Sequence, residues 1–269
     1  MNIERARWAH RIWNALKIEI LESGYARLGR DWNHEHLRPP YSRVYYIASG
    51  SGTVVSGKQT MPLHAGCVYL LPAGASLRYS CPGEMTQLYF HVSVRTGDGY
   101  DLFSRCHQIL CLPSQQDPEI LCQDYQSGDY LREALLKCCL EADLCRFIAE
   151  CGLEEILLAQ HSPFLEQVFT IVRQELRSSL TIQTVARRLS VSESTLAKRF
   201  RREFGMTLGR YIDEMLVEEI CRLLTATDLT VGEIAERLGF CDQFYLARFF
   251  SARQGLPPRE YRAFLRGQA

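Results

Sequence analysis

Residues 185–212 read VARRLSVSESTLAKRFRREFGMTLGRYI, and residues 234–262 read IAERLGFCDQFYLARFFSARQGLPPREYR. The two stretches are copies of one pattern, and the second copy has one inserted residue. The matching pairs are Ala186 with Ala235, Arg188 with Arg237, Leu189 with Leu238, Leu196 with Leu246, Ala197 with Ala247, Phe200 with Phe250, Gly205 with Gly255, and Tyr211 with Tyr261. Each copy predicts a short helix, a turn at a small residue and a second helix, which is the pattern of a helix-turn-helix unit.

The residue types at the ends of these helices support this interpretation. Hydroxyl and carboxylate side chains suit helix N-caps, and a small residue suits a tight turn. In the first copy the first cap, the turn residue and the second cap are Thr181, Ser190 and Ser192. In the second copy they are Thr230 with Glu233 in a capping box, Gly239 and Asp242. Two copies with matching caps are a stronger signal than one.

The second helix of each copy has one apolar face and one polar face. The predicted buried stripes are Leu196, Phe200 and Phe204 in the first copy, and Leu246, Phe249 and Phe250 in the second. The opposite faces carry Ser194, Thr195, Lys198, Arg201 and Arg202 in the first, and Gln243, Phe244 and Arg248 in the second. Such a face fits a helix in the DNA major groove, with polar residues near base edges and basic residues near phosphates. Ala197 and Ala247 would allow a close backbone approach or a contact with a thymine methyl group.

The segment between the copies, residues 207–227, predicts one long helix. Its apolar stripe is Leu208, Tyr211, Ile212, Met215, Leu216, Ile220, Leu223 and Leu224. A rigid helix can hold two DNA-contacting helices at the roughly 34 Å spacing of successive major grooves. We therefore predict that both units contact the same face of a DNA duplex.

The N-terminal part of the chain has a strand pattern instead. Residues 42–95 are rich in Val, Tyr, Ile and Leu, with turn residues at intervals of about 8–12 residues, and this predicts an antiparallel barrel or sandwich. Residues 17–30 predict one or two further strands after a short N-terminal helix. Residues 113–128 are polar and interrupted, which is typical of a connector.

Helical periodicity takes over from residue 129. Residues 129–151 predict a helix with Asp129 as its N-cap, and helices continue to the end from Ser162, with Pro163 at the first helical position. The predicted fold class is therefore α+β, an antiparallel β-barrel followed by an all-α domain. The predicted domains are a strand-rich domain at 1–100, a helical connector at 101–161, and a DNA-binding domain at 162–269.

The composition predicts a globular protein of the cytoplasm. The chain has 269 residues, is 46% hydrophobic and has no net charge, and no apolar run long enough for a membrane span or a signal peptide is visible. Residues 163–269 hold 16 basic and 13 acidic residues, so this part carries a small positive excess. The 11 cysteines form no CxxC pair, which indicates free, mostly buried thiols.

The repeat resembles the DNA-binding domain of the AraC family of bacterial transcription regulators. The family's signature is matched by Gly239, Phe240, Phe250, Gly255, Pro258, Tyr261 and Arg262. The resemblance places base contacts at Ser194, Ala197 and Lys198 of the first unit, and at Gln243, Phe244, Ala247 and Arg248 of the second. Phe244 and Ala247 depart from the polar residues often found there. We therefore predict that the first unit is the stronger reader, and that the second relies more on phosphate contacts and DNA shape.

Residues 16–95 resemble the cupin-like sensor barrel of the same family, in particular the stretch from Gly66 to Gly74. The resemblance implies a small-molecule effector, such as a sugar or a related catabolite. The candidate effector-binding residues are Trp32, His36, Arg38, Arg43, Tyr45, Tyr79 and His91. His34 and His36 could bind a metal, but position 77 is Leu where a metal-binding cupin has His, so no metal or other cofactor is expected.

The resemblance also implies a homodimer formed through the region of residues 129–151, with double-stranded DNA as partner and RNA polymerase as a further partner if the chain activates transcription. The expectation is a regulator without enzymatic activity. Three alternatives remain open: a regulator of the same type without a small-molecule effector, a metal-dependent cupin enzyme with a DNA-binding domain, and a DNA-repair fusion with a reactive cysteine.

Overall fold

A computed structural model describes residues 16–37, 39–96, 98–99, 101–106, 108–155 and 161–266, with the backbone alone at 34–37 and 264–266. The described residues form two compact units. One holds those up to Thr96 and from Asp101 to residue 155, and the other holds 98–99 and those from 161 onward. The predicted short N-terminal helix lies outside the described residues. The domain boundaries predicted at 100 and 161 stay predictions.

The first unit is built on antiparallel strands, as the sequence predicts. Their bounds are β1 Lys17–Leu28, β2 His34–Leu37, β3 Ser42–Ser56, β4 Gln59–His64, β5 Cys67–Leu71, β6 Leu77–Ser80, β7 Met85–Arg95 and β8 Leu110–Pro113. Hydrogen bonds join them in the order β1-β7-β3-β5-β8, while the second half of β3 pairs with β4 and β6, and β6 pairs with β2. This is the antiparallel sheet of the predicted class, although no ladder among the described strands closes it into a full barrel.

Helices cover one face of this sheet. A 3-10 turn, Leu102–Arg105, is followed after β8 by α1 Pro118–Gln126 and α2 Tyr130–Glu150. Asp129 caps α2 by accepting from the backbone N–H of Leu131, as predicted. Within the segment interpreted as a connector, residues 118–126 form a helix that the sequence did not single out, because Asp117 caps it and proline occupies its first turn.

The second unit contains only helices and turns among its described residues. The helices are α3 Pro163–Gln174, α4 Ile182–Arg188, α5 Glu193–Phe204, α6 Leu208–Ala226, α7 Val231–Arg237, α8 Gln243–Gln254 and α9 Pro258–Arg266. The long helix α6 confirms the prediction for residues 207–227, and it packs against α5, α7, α8 and α9. Its buried stripe joins the core around Phe169 and Phe200.

The residues that carry the family resemblance hold this unit together. Gly255 ends α8 in the left-handed region at φ 80°, where a side chain would be strained. The ring of Tyr261 packs edge-on against Phe250, with centroids 5.2 Å apart. Arg262 Nε donates to the Leu224 carbonyl oxygen at 3.0 Å, which ties α9 to the end of α6. These signature residues therefore specify the fold of the unit.

Three further properties concern the described residues alone. None of their helices is long and apolar enough to cross a membrane. No group of three or more His, Cys, Asp or Glu side chains among them is placed to hold a metal ion. All 11 cysteines are free thiols, and Cys138, Cys145 and Cys241 are exposed.

Candidate DNA-recognition helices and effector site

The two helix-turn-helix units have the turn geometry that their sequences predict. Ser190 turns the chain between α4 and α5 at φ 54°, and Gly239 turns it between α7 and α8 at φ 71°. Ser192 Oγ accepts from the Thr195 N–H at 3.2 Å, and Asp242 Oδ1 accepts from the Tyr245 N–H at 2.6 Å. Both second helices are therefore capped at the residues named from the sequence.

Helix α5 presents a polar face to solvent. Leu196 and Phe200 are fully buried, while Phe204 is half-buried. Its exposed side chains include Ser194, Thr195, Lys198, Arg201 and Arg202, and Ala197 is half-buried beside them. The five exposed residues and Ala197 are the set predicted for DNA contact, so the helix brings all six together on one face.

The basic residues of α5 differ in how they are held. Arg199 Nε lies 2.7 Å from Glu203 Oε1, and its Cζ lies 4.1 Å from the centre of the Phe164 ring. Lys198 and Arg201 form no ion pair with any residue that the structure describes. The charges of Lys198 and Arg201 are therefore available to an anionic partner, whereas that of Arg199 is used inside the protein.

Helix α8 presents a more apolar face. Leu246 and Phe250 are buried, Phe249 is half-buried, and 66% of Phe244 is exposed at the start of the helix. Arg248 is exposed, and its Cζ lies 5.9 Å from the ring centre of Tyr245, which is itself 47% exposed. The two other predicted contact residues, Gln243 and Ala247, are half-buried on this helix. Arg253 lies further along, where Nη2 pairs with Asp213 Oδ2 at 2.5 Å.

A second candidate site lies in the sheet unit. Four of the predicted effector residues, Trp32, Arg43, Tyr45 and Tyr79, are buried and in mutual contact. The Trp32 ring centre lies 4.9 Å from that of Tyr79 and 6.4 Å from that of Tyr45. Arg43 Nη1 donates to the Tyr79 hydroxyl at 2.6 Å. The structure thus brings these aromatic rings together around one guanidinium group.

His91 extends this cluster through residues that the sequence did not single out. Its Nδ1 lies 2.8 Å from Glu22 Oε2, the Tyr89 hydroxyl donates to Glu22 Oε1 at 3.1 Å, and Tyr41 stacks on the imidazole with centroids 4.9 Å apart. Burial lowers the pKa of His91 to about 4, so the imidazole is neutral near pH 7.

Tyr41 and Tyr89 could have been suspected from the alternation Tyr41-Arg43-Tyr45 at the start of β3 and Tyr89-His91 in β7, since alternate residues share a face. Of the other predicted effector residues, only the backbone of His36 is described, and Arg38 lies outside the described residues.

Strand β3 connects this cluster to helix α2. Tyr45 faces Trp32, whereas the next residue, Tyr46, points to the opposite face of the sheet. There its hydroxyl donates to Asp143 Oδ2 of α2 at 2.8 Å, and Arg146 Nη1 lies 2.7 Å from Asp143 Oδ1. The strand that carries Arg43 and Tyr45 is therefore hydrogen-bonded to α2 through its other face.

Helix α2 also has an exposed apolar face. Its buried residues Leu136, Leu140, Leu144, Phe147 and Ile148 pack on the sheet unit's core. The opposite side presents Leu131, Leu135, Cys138, Ala142, Cys145 and Ala149, here called the α2 stripe, and all six are exposed. Their spacing alternates between four and three residues, which is the a/d spacing of a helix that packs against another helix. Leu131 is 70% exposed and Leu135 is 55% exposed.

Comparison with known proteins assigns both units. Residues 16–134 match the family described as an AraC-like ligand binding domain, and residues 170–263 match a helix-turn-helix domain. The Msm operon regulatory protein of Streptococcus mutans is 24% identical over 236 residues, which is 81% of this chain and 83% of that protein. The multiple antibiotic resistance protein MarA of Salmonella typhimurium is 31% identical over 98 residues, which is 36% of this chain and 77% of MarA.

A solved structure has the same fold over most of the chain. The crystal structure of ToxT from Vibrio cholerae superposes with a TM-score of 0.54 and 14% identity, covering 90% of this chain and 96% of ToxT. At that identity the likeness concerns the fold alone.

Proposed function

The chain belongs to the AraC family of DNA-binding transcription regulators, and from that premise we propose that it is a homodimer that reads DNA with α5 and α8 under the control of a small polar effector. The single observation that carries the proposal is the pair of capped helices with solvent-facing polar residues. Each stands after a turn at positive φ, and α6 packs against both.

Helix α5 is the main sequence reader in this proposal. Ser194, Thr195 and Lys198 lie on its exposed N-terminal half, which is the part of a recognition helix that reaches base edges. Arg201 and Arg202 follow one turn later, where they neutralise phosphates. Arg202 Nη2 lies 3.4 Å from Glu203 Oε1, a longer contact than that of Arg199, and its side chain is 74% exposed and can turn to DNA. The charges needed for both tasks are exposed, and Arg199 on the inner side stabilises the unit instead.

Helix α8 contributes differently. Phe244 offers an exposed ring where a polar base-reading residue often stands, and an apolar side chain in the major groove contacts the thymine methyl group. Arg248 adds a phosphate contact. The second helix-turn-helix unit therefore positions the protein and favours thymine, whereas α5 makes the hydrogen-bonded contacts.

The effector binds among Trp32, Arg43, Tyr45, Tyr79 and His91. Aromatic faces with a few polar groups suit a sugar or a related catabolite. Because β3 carries Arg43 and Tyr45 on one face and Tyr46 on the other, a ligand that shifts this strand also shifts the hydrogen bond to Asp143 of α2. An effector can change the packing of α2 only as far as it binds one arrangement more tightly than the other.

The α2 stripe supports a dimer through this same helix. Exposed leucines at heptad spacing are costly in a monomer and are buried when a second copy of the helix packs against them. Effector binding then alters how two DNA-binding units are presented to DNA, because α2 is in contact with both the effector strand and the partner subunit.

The experiment is selection of duplexes from a random DNA pool by the full-length protein, followed by footprinting. We expect one sequence to be enriched, with protection of two neighbouring major-groove segments about 10 base pairs apart per subunit. Selection of no common sequence would contradict the proposal. Repeating the footprint with candidate sugars tests the effector, since an effector must change the affinity or the pattern of protection.

A further inference from the structure

Arg43 occupies an unusual position in the candidate effector cluster. It is 1% exposed, so its guanidinium lies in the interior of the sheet unit. One nitrogen, Nη1, donates to the Tyr79 hydroxyl at 2.6 Å. The other two, Nε and Nη2, have no hydrogen-bond partner among the residues that the structure describes. A buried N–H without a partner is destabilising, because it has lost its hydrogen bonds to water.

No described carboxylate forms an ion pair with Arg43. A guanidinium stays protonated in a protein, so it brings a full positive charge into the interior. Glu22 interacts electrostatically with Arg43, but both of its oxygens are hydrogen-bonded elsewhere, since Oε2 lies 2.8 Å from His91 Nδ1 and Oε1 accepts from Tyr89 at 3.1 Å. Tyr41, Tyr45 and Tyr79 interact electrostatically with Arg43, and Tyr41 adds a weak side-chain interaction that is too poorly placed to be a hydrogen bond to Nε or Nη2. A phenol hydroxyl carries no formal charge.

The positions of the two unpartnered nitrogens specify what would satisfy them. Nε and Nη2 share one edge of the planar guanidinium, and their N–H bonds run parallel. That edge matches the two oxygens of a carboxylate in a bidentate pair. A neutral hydroxyl can accept from one of these N–H groups at a time and supplies no charge.

We propose that the effector carries a carboxylate group that pairs with the Nε and Nη2 edge of Arg43, with the rings of Trp32, Tyr45 and Tyr79 around the rest of the molecule. This inference rests on the proposed effector site and adds the charge of the ligand. It makes Arg43 the residue that selects an acid over the corresponding neutral compound.

The surroundings favour a singly charged carboxylate over a phosphate. Arg43 is the sole cation that the described part of the cluster offers, because His91 is held neutral by burial. The carboxylate of Glu22 is close enough to Arg43 for its pKa to be lowered by that charge, and it would repel a dianion. One guanidinium can balance a single negative charge and leaves the second charge of a phosphate unpaired.

Matched ligand pairs test the proposal on the full-length protein. The pairs are D-galacturonate with D-galactose, benzoate with benzyl alcohol, and octanoate with octanol, so the three arms separate sugar, aromatic and aliphatic acids. Thermal unfolding near pH 7 at constant ionic strength is the readout. We expect the acid of at least one pair to raise the Tm while its neutral partner leaves the Tm unchanged.

Two variants locate the effect. Arg43→Gln should weaken binding of the active acid by about tenfold or more, because the charge and the bidentate edge are lost. Lys58→Gln, which changes an exposed charge on the β3–β4 turn, should leave binding unchanged. Without ligand, Arg43→Met should have a Tm equal to or above that of the parent, since replacing a poorly paired buried charge by an apolar side chain is often neutral or stabilising.

Several outcomes would overturn the inference. These are stabilisation by a neutral member equal to that of its acid, retention of acid binding by Arg43→Gln, no stabilisation by any of the three acids, or a clear loss of Tm in ligand-free Arg43→Met. The first would leave the proposed effector site standing, because a neutral ligand still binds. Failure of the DNA selection would instead contradict the proposed function, whatever the ligand results.

Discussion

At the scale of single residues, burial sets the charge of the sheet unit's interior. His91 is 3% exposed, and burial lowers its pKa to about 4, although Glu22 Oε2 lies 2.8 Å away. Burial raises the pKa of Glu22, but the hydrogen bonds from His91 and Tyr89 outweigh it, so that pKa is lowered overall. Near pH 7 the pair is therefore a neutral imidazole that donates to a carboxylate.

This arrangement predicts a specific dependence of stability on pH. Between about pH 6.5 and about pH 4 the unfolded chain protonates His91 while the folded chain does not, so acidification favours unfolding. The shift corresponds to roughly 3 kcal/mol of stability that is present above pH 6.5 and lost as the pH falls through 4. Urea unfolding at several pH values should show a smaller acid loss for His91→Gln than for the parent. An equal loss would contradict a buried neutral His91, and His64→Gln, at an exposed position, is the control.

The turn residues of the two helix-turn-helix units offer a matched pair of substitutions. Ser190 holds φ at 54°, where a residue with a Cβ is strained, and Gly239 holds φ at 71°. We expect Ser190→Gly to raise the free energy of unfolding by about 0.5 kcal/mol and Gly239→Ser to lower it by about 1 kcal/mol. Calorimetry of the full chain measures both changes, and effects of the same sign would contradict equivalent turns.

At the scale of elements, β3 and α2 form the connection between the candidate effector site and the candidate dimer interface. Tyr46 is 1% exposed, and its hydroxyl donates to Asp143, which is 3% exposed. Arg146 forms an ion pair with Asp143, and its positive charge compensates the negative charge of the carboxylate. A hydrogen bond to a buried carboxylate ties the helix to one position on the strand.

Tyr46→Phe should therefore loosen α2 without emptying the effector site. We expect a loss of about 1–3 kcal/mol in the free energy of unfolding and faster hydrogen exchange of the amides in α2. Tyr45→Phe, one residue away on the opposite face, is the control and should leave exchange in α2 unchanged. If the two variants change that exchange equally, the strand does not couple the site to the helix in the way argued above.

The α2 stripe makes a second prediction at this scale. Leu131→Glu combined with Leu135→Glu places two charges on the exposed stripe, and the monomer should tolerate them because neither leucine is buried. We expect sedimentation velocity to show a dimer for the parent and a monomer for the double variant. Lys137→Glu, exposed but off the stripe, should remain dimeric. A dimer that survives the double variant would place the interface elsewhere.

Local features of these elements could be read from the sequence, but features that depend on pairing across the sheet could not. The caps at Thr181, Ser192, Thr230 and Asp242 were predicted because a cap involves residues within one turn of helix. Alternation implied that Tyr45 and Tyr46 face opposite ways, but only the pairing of β3 with its neighbours decides which faces Trp32. Glu22 was missed for the same reason, since its contact with His91 depends on the register of β1 and β7.

At the scale of the whole molecule, two units carry two tasks. The antiparallel sheet unit holds a buried polar cluster, and the helical unit holds the two candidate recognition helices. The repeat in the sequence was enough to predict the fold of the helical unit, because each copy contains its own caps, turn and apolar stripe. The proposal of a carboxylate effector required the structure, since the unpartnered edge of Arg43 appears only when the strands are assembled.

The most direct test of DNA reading by α5 and α8 is the salt dependence of binding to the selected duplex, measured by fluorescence anisotropy. Each helix provides a matched pair of basic residues. Lys198 and Arg248 are exposed, whereas Arg199 is paired with Glu203 and Arg253 with Asp213. Lys198→Ala and Arg248→Ala should each weaken binding and, where the lost contact is to phosphate, reduce the slope of log K against log salt by about 1. Arg199→Ala and Arg253→Ala should lower stability and leave the slope unchanged. If Lys198→Ala, Arg248→Ala and the double variant bind with the affinity and slope of the parent, the recognition helices have been assigned wrongly.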